Sequence, residues 1–180
     1  LVTTVYFGDN DAVFDGTIRV LYDGFGLMIN LTEYKVETDA TVAARLNVGT
    51  ITTKLLTYDQ ATGKLIGSDE TVARAGQAKT NTVRTIDVVL GYNTIGQLLR
   101  YTDIITDLDG SVDIITTVRF GYNGTTSTWV NVQYDTTGRL TDFYENKNEE
   151  HKTTPSLYSV TTDSHRSAIN YHTSGQMTGY

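Results

Sequence analysis

The sequence predicts an all-β fold of antiparallel hairpin repeats, arranged as a twisted meander, a β-solenoid or a shell-like array. Three observations lead there. A tyrosine followed four residues on by glycine, and then by Leu or Met, recurs at Tyr22, Tyr92, Tyr134 and Tyr171. The copy at Tyr58 carries one extra residue before its glycine. These tyrosines fall 36, 34, 42 and 37 residues apart, and a period in that range marks an array. Composition agrees, because Thr, Asn, Ser, Gly and 12 Tyr suit pleated, half-exposed strands joined by turns. No window has the apolar spacing of an amphipathic helix.

Taken in order, the chain alternates strand-like runs with two classes of turn. Leu1 to Phe7 reads as a strand, followed by a turn at Gly8–Asp11. Thr17–Leu21 leads into the first motif, Tyr22 to Met28 with Gly26. Thr38–Ala40 is the next turn, and Thr53–Thr57 leads into Tyr58 to Leu65 with Gly63. Ala73–Thr82 is expected to be a longer loop, or a strand bulged at Gly76. Ile86–Leu90 is read as the strand before Tyr92 to Leu98, whose glycine is Gly96. Asp107–Gly110 is a turn, and Tyr122–Thr125 an extra hairpin turn that accounts for the 42-residue interval. Trp129–Gln133 alternates cleanly and is read as the strand into Tyr134-Asp135-Thr136-Thr137-Gly138-Arg139-Leu140. Leu140–Tyr144 resumes a strand. Asn146–Glu150 and Thr162–Ser164 are expected turns, with Pro155 in a loop. Tyr171 to Met177, with Gly175, is the last copy.

Each residue type in the motif has a physical reason. Tyrosine ends the incoming strand, where an amphipathic ring covers the turn. Asp or Asn beside it accepts from backbone N–H groups two residues on. Glycine takes a positive φ that a β-carbon resists. Leu or Met returns the chain to the covered face.

The bulk numbers narrow the function. A formal charge of -7 argues against nucleic acid, whose phosphates need a basic face. With no cysteine, there is neither a disulfide framework nor a thiolate metal site. No run approaches the length of a membrane-spanning helix, and a small outer-membrane barrel would need cleaner lipid-facing alternation than Thr141–Glu145 offers. No signal peptide is visible and the chain begins at Leu1, which suits a processed form or a piece of something longer.

Candidate chemistry is sparse. None of His151, His165 and His172 sits in a nucleophile or metal motif, and His172 stands in the Asp position of its repeat, so no catalytic residue is expected. Calcium is the metal most compatible with Asp107, Asp109 and Asp113, yet Asp-Gly is also a favoured hairpin turn. Asn30 and Asn123 open glycosylation sequons that matter only in a host with that machinery. A row of tyrosines one repeat apart could stack on carbohydrate; a structural ladder is the simpler reading.

Tyr134 to Leu140 resembles the Tyr-Asp repeat of bacterial Rhs proteins, insecticidal toxin shells and teneurins, and the other four copies are similar to it more loosely. The resemblance implies an extracellular or surface-exposed β array serving as scaffold. The period here is longer than one hairpin, and no shell-closing signature follows, so a fibre or stalk segment is expected rather than a capsule. One domain of about five units of roughly 36 residues is expected. The chain is read as a self-assembling structural subunit, not an enzyme. The strand near Tyr171–Tyr180 would continue into Leu1–Phe7 of the next copy. The alternative is a carbohydrate- or surface-binding adhesin module.

Overall fold

A computed structural model describes residues 2–8, 20–38, 47–110 and 113–179. Thr17–Arg19 of the expected strand Thr17–Leu21, and parts of the turns at Gly8–Asp11 and Thr38–Ala40, lie outside the described residues. The described chain is all-β and antiparallel, with one 3-10 turn at Pro155–Leu157 and no α-helix. It divides into two compact units, Leu1–Val83 with Ile105–Asp113, and Arg84–Ile104 with Ile114–Tyr180.

The first unit is a meander of long strands. β1 (Val2–Phe7) and β2 (Val20–Tyr22) pair with β3 (Met28–Thr38), which pairs with β4 (Asn47–Tyr58), which pairs with β5 (Leu65–Arg74). β6 (Thr80–Thr85) follows β5 in the sheet, with Thr80–Val83 in this unit and Arg84 and Thr85 in the second. Hydroxyl and ion pairs stitch the strands together. Thr32 and Thr53 hydroxyls lie 3.5 Å apart, Arg74 of β5 holds Glu37 of β3 at 3.0 Å with Lys35 of the same strand at 3.0 Å beside it, and Lys54 pairs with Glu70. Tyr6 stacks on Tyr34 at 5.9 Å. Ala73–Thr82 is not bulged strand: β5 ends at Arg74 and β6 begins at Thr80, and the five residues between them turn at Gly76 (φ 76).

In the second unit β12 (Leu140–His151) is the central strand. β8 (Ile114–Phe120) pairs with its far half, β11 (Gln133–Tyr134) with its start, and β13 (Ser159–Arg166) along its other edge. Two short hairpins accompany them, β9 (Tyr122–Asn123) with β10 (Thr128–Trp129) and β14 (Asn170–Tyr171) with β15 (Met177–Gly179). β7 (Tyr101–Asp107) divides its residues between the two units. Phe120, Val132, Phe143 and Ile169 form the buried cluster, with Leu99, Tyr101, Tyr134, Leu140 and Tyr171 packed against it.

Four sequence expectations are corrected here. Asn146–Glu150 is not a turn but the middle of β12, and Thr162–Ser164 lies inside β13. Turn-prone Asn and Asp are held extended because their side chains are satisfied across the sheet. Arg119 donates to Asn146 Oδ1 at 3.0 Å, and Asn146 Nδ2 donates to Asp163 Oδ1 at 2.8 Å. Asn146 is only 3% exposed and sits between the half-buried Arg119 and the exposed Asp163, so the three form a cross-strand relay with a buried centre. Ile86–Leu90 is not a strand: Asp87 Oδ1 accepts from the Val89 and Leu90 N–H groups at 2.8 and 2.7 Å and closes a turn. Trp129–Gln133 is not continuous: β10 ends at Trp129, Val130 still donates across the β9–β10 hairpin to the Gly121 carbonyl at 2.7 Å, and β11 begins only at Gln133 to pair with β12.

Candidate functional site: a stack of tyrosine hairpins

The five motif copies share one hairpin geometry. In each, the residue after tyrosine exchanges backbone bonds across the turn, as Asp135 donates to the Arg139 carbonyl at 2.8 Å and Gly138 to the Asp135 carbonyl at 3.0 Å. Asp23, Asp59, Asn93 and His172 make the equivalent backbone pair. The glycines adopt positive φ: Gly26 (79), Gly63 (68), Gly96 (84), Gly138 (85) and Gly175 (85). Side chains then lock the turn. Asp135 Oδ1 accepts from Thr137 and Arg139 N–H groups at 2.9 Å each, and Asn93 does the same for Ile95 and Gln97 at 3.1 and 2.9 Å. His172 substitutes its ring Nδ1, which accepts from Ser174 N–H at 3.2 Å. The Arg139 N–H, then the Thr137 hydroxyl, hold the Asp135 carboxyl well below the usual carboxylate range.

Three of the five motif tyrosines connect their hairpin to the one before it. Tyr58 donates its hydroxyl to the Met28 carbonyl at 3.1 Å, Tyr134 to Leu98 at 2.5 Å and Tyr171 to Leu140 at 2.7 Å. In every case the acceptor is the Leu or Met that closes an earlier copy of the motif. The contact between the last two copies is reinforced. Arg139 reaches the His172 carbonyl at 3.4 Å and its guanidinium sits 4.8 Å from the centre of the Tyr171 ring. Burial pushes the Tyr134 hydroxyl pKa up, as expected for a ring turned inward. Tyr22, by contrast, is 60% exposed.

A second feature was not singled out in the sequence. Thr3-Thr4-Val5-Tyr6-Phe7-Gly8 repeats as Thr116-Thr117-Val118-Arg119-Phe120-Gly121, and the match is also structural. β1 and β2 flank β3 as β8 and β11 flank β12. Gly8 and Gly121 have φ values of 77 and 76 at the same place, just after the strand. A search for identity outside the tyrosine phrase would have found it.

The remaining candidates have plain geometries. Asp107 Oδ1 accepts from Asp109 N–H at 2.8 Å, Asp109 Oδ2 accepts from Lys79 N–H at 2.5 Å, and Asp113 is exposed. Among the described residues no group of three or more His, Asp or Glu gathers closely enough to hold a metal ion. Asn30 lies inside β3 with neighbours on both sides, and Asn123 Oδ1 accepts from Thr126 N–H at 3.2 Å. His165 Nε2 lies 3.1 Å from Asp142 while its ring stacks on Tyr144, and His151 Nδ1 accepts from Thr154 N–H at 3.1 Å. Among the described residues no helix is long and apolar enough to cross a membrane.

A cleft of about 300 Å³ is lined by Thr85, Asp87, Arg100, Tyr101, Thr102 and Trp129. Trp129, the one tryptophan, is 42% exposed, with the Arg100 guanidinium 5.4 Å from its ring centre. Arg100 also lies 3.6 Å from the Asp87 carboxylate. No family model, curated protein or solved structure matches this chain.

Proposed function

We propose that the chain is a structural segment of an extracellular fibre or cell-surface scaffold, whose working part is the stack of hairpins. The observation that carries this reading is the recurrent bond from a motif tyrosine to the closing carbonyl of an earlier copy. Within each unit such a bond makes one hairpin a platform for the following one, so the sequence is organised for length rather than for a pocket. Each bond is worth about 1 kcal/mol net, so rigidity comes from repetition. The resemblance of Tyr134–Leu140 to Tyr-Asp repeats supports the extracellular placement. Negative-stain electron microscopy at high protein concentration tests it. Filaments of uniform width are expected; a field of dispersed single particles would sink the reading.

The Trp129 cleft favours a second reading, a carbohydrate-binding module. An exposed indole beside paired Arg and Asp side chains offers an apolar face with polar groups around it, as sugars require. A glycan array with wild-type and Trp129→Ala protein separates the two readings. Binding lost in the variant favours the module, and no binding by either leaves the scaffold alone.

A further inference from the structure

We infer that a second copy of this chain docks its Tyr171–Met177 hairpin on the first unit, where the Tyr22 hydroxyl donates to its Met177 carbonyl. The inference rests on the scaffold function proposed above and names the contact through which copies join.

Extending the observed series by one step in each direction leads to this pair. The donors are Tyr58, Tyr134 and Tyr171, and the acceptors include Met28, Leu98 and Leu140. Tyr22 is a motif tyrosine for which the described residues supply no earlier closing carbonyl, and it is 60% exposed. Met177 closes a motif, is 53% exposed, and among the described residues no tyrosine hydroxyl reaches its carbonyl.

The second unit contains a template for the whole contact. There the phrase Gly96-Gln97-Leu98 meets the phrase that begins at Thr116. Tyr134 bonds to the Leu98 carbonyl, Gly121 packs so closely on the Leu99 carbonyl that a β-carbon would collide with it, and Phe120 stacks on Tyr101 at 5.1 Å. Both phrases recur in the chain. Gly175-Gln176-Met177 repeats the acceptor side, and Thr3 to Gly8 with Tyr22 repeats the donor side. On that donor side the surface is uncovered: Phe7 is 61% exposed, against 8% for Phe120, and among the described residues β1 pairs only with β3. A second copy carries the matching acceptor, so the occupant is the chain itself. Covering Phe7 removes apolar surface from water, and the tyrosine bond sets the register.

Sedimentation equilibrium over a wide concentration range, with photocrosslinking, tests the contact. The wild type should self-associate, and Tyr22→Phe should weaken association roughly three- to tenfold, the worth of one hydrogen bond. Tyr58→Phe, which removes the same bond inside the chain, should lower thermal stability and leave association unchanged. A benzophenone amino acid in place of Phe7 should crosslink to a peptide of the other copy containing Met177–Gly179. Self-association that ignores Tyr22→Phe, with crosslinks elsewhere, overturns the inference and leaves the scaffold reading standing. A monomer at the highest concentration overturns both.

Discussion

The two units use the same local phrases and bury them to different extents. In the second, Phe120, Val132, Phe143 and Ile169 are withdrawn from water under a ring of partly buried tyrosines and leucines. In the first, no hydrophobic side chain among the described residues is buried, and Thr32, at 8% exposure, is its most covered residue. Long strands, hydroxyl pairs and ion pairs hold that unit, each worth a few tenths of a kcal/mol to about 1 kcal/mol. The contrast between Phe7 and Phe120 is sharpest, because the residues around them are nearly identical. A residue's burial is therefore decided by whether a neighbouring hairpin covers it. The motif builds the hairpin; its neighbour builds the core.

The largest expected effect lies on that pair. Phe120→Ala should cost about 3–5 kcal/mol in urea unfolding of the monomer, while Phe7→Ala should cost less than about 0.5 kcal/mol. Equal effects would mean that the two phrases share one environment. The glycines sharpen the comparison next. Gly121→Ala combines a positive φ with a collision against the Leu99 carbonyl and should cost about 3 kcal/mol. Gly8→Ala, with only Val20 Cγ2 at 3.1 Å, should cost about 1 kcal/mol.

Smaller effects follow the tyrosines. Tyr134→Phe and Tyr171→Phe should each cost about 1 kcal/mol, whereas Tyr22→Phe should be neutral in the monomer. The smallest is a pH dependence. Asp135 is depressed in the fold, chiefly by the Arg139 N–H, and Asp59 and Asp87 are lowered in the same direction. A carboxyl that gives up its proton more readily when folded stabilises fully above its unfolded pKa of about 3.9. That stabilisation is lost as pH falls through the folded value. Melting temperatures should therefore drop on acidification below about pH 4. Asp135→Asn, which imitates Asn93, should show a shallower drop, and an unchanged acid limb would contradict the account of the turn.

The turns were legible in the sequence because they are local. Asp135, Gly138 and Arg139 satisfy one another within five positions, so residue type alone carries the signal. Regions settled by distant partners were not legible. Asn146 and Asp163 look like turn formers until Arg119 is brought alongside. Ile86–Leu90 looks like a strand until the Asp87 carboxylate captures its backbone. The Trp129 cleft is invisible in sequence because Arg100 and Asp87 reach it from separate segments. The tyrosine hydroxyls show the same division: their positions can be read, but their acceptors lie 30 or more residues away.

The central claim is that Tyr58, Tyr134 and Tyr171 each rest on the closing residue of an earlier hairpin. Nuclear Overhauser effects from the rings of Tyr58, Tyr134 and Tyr171 test it most directly. The account predicts contacts from these rings to the backbones of Met28, Leu98 and Leu140 respectively, with none from Tyr22 to a closing residue in the dilute monomer. Rings that show only contacts within their own hairpin would contradict it.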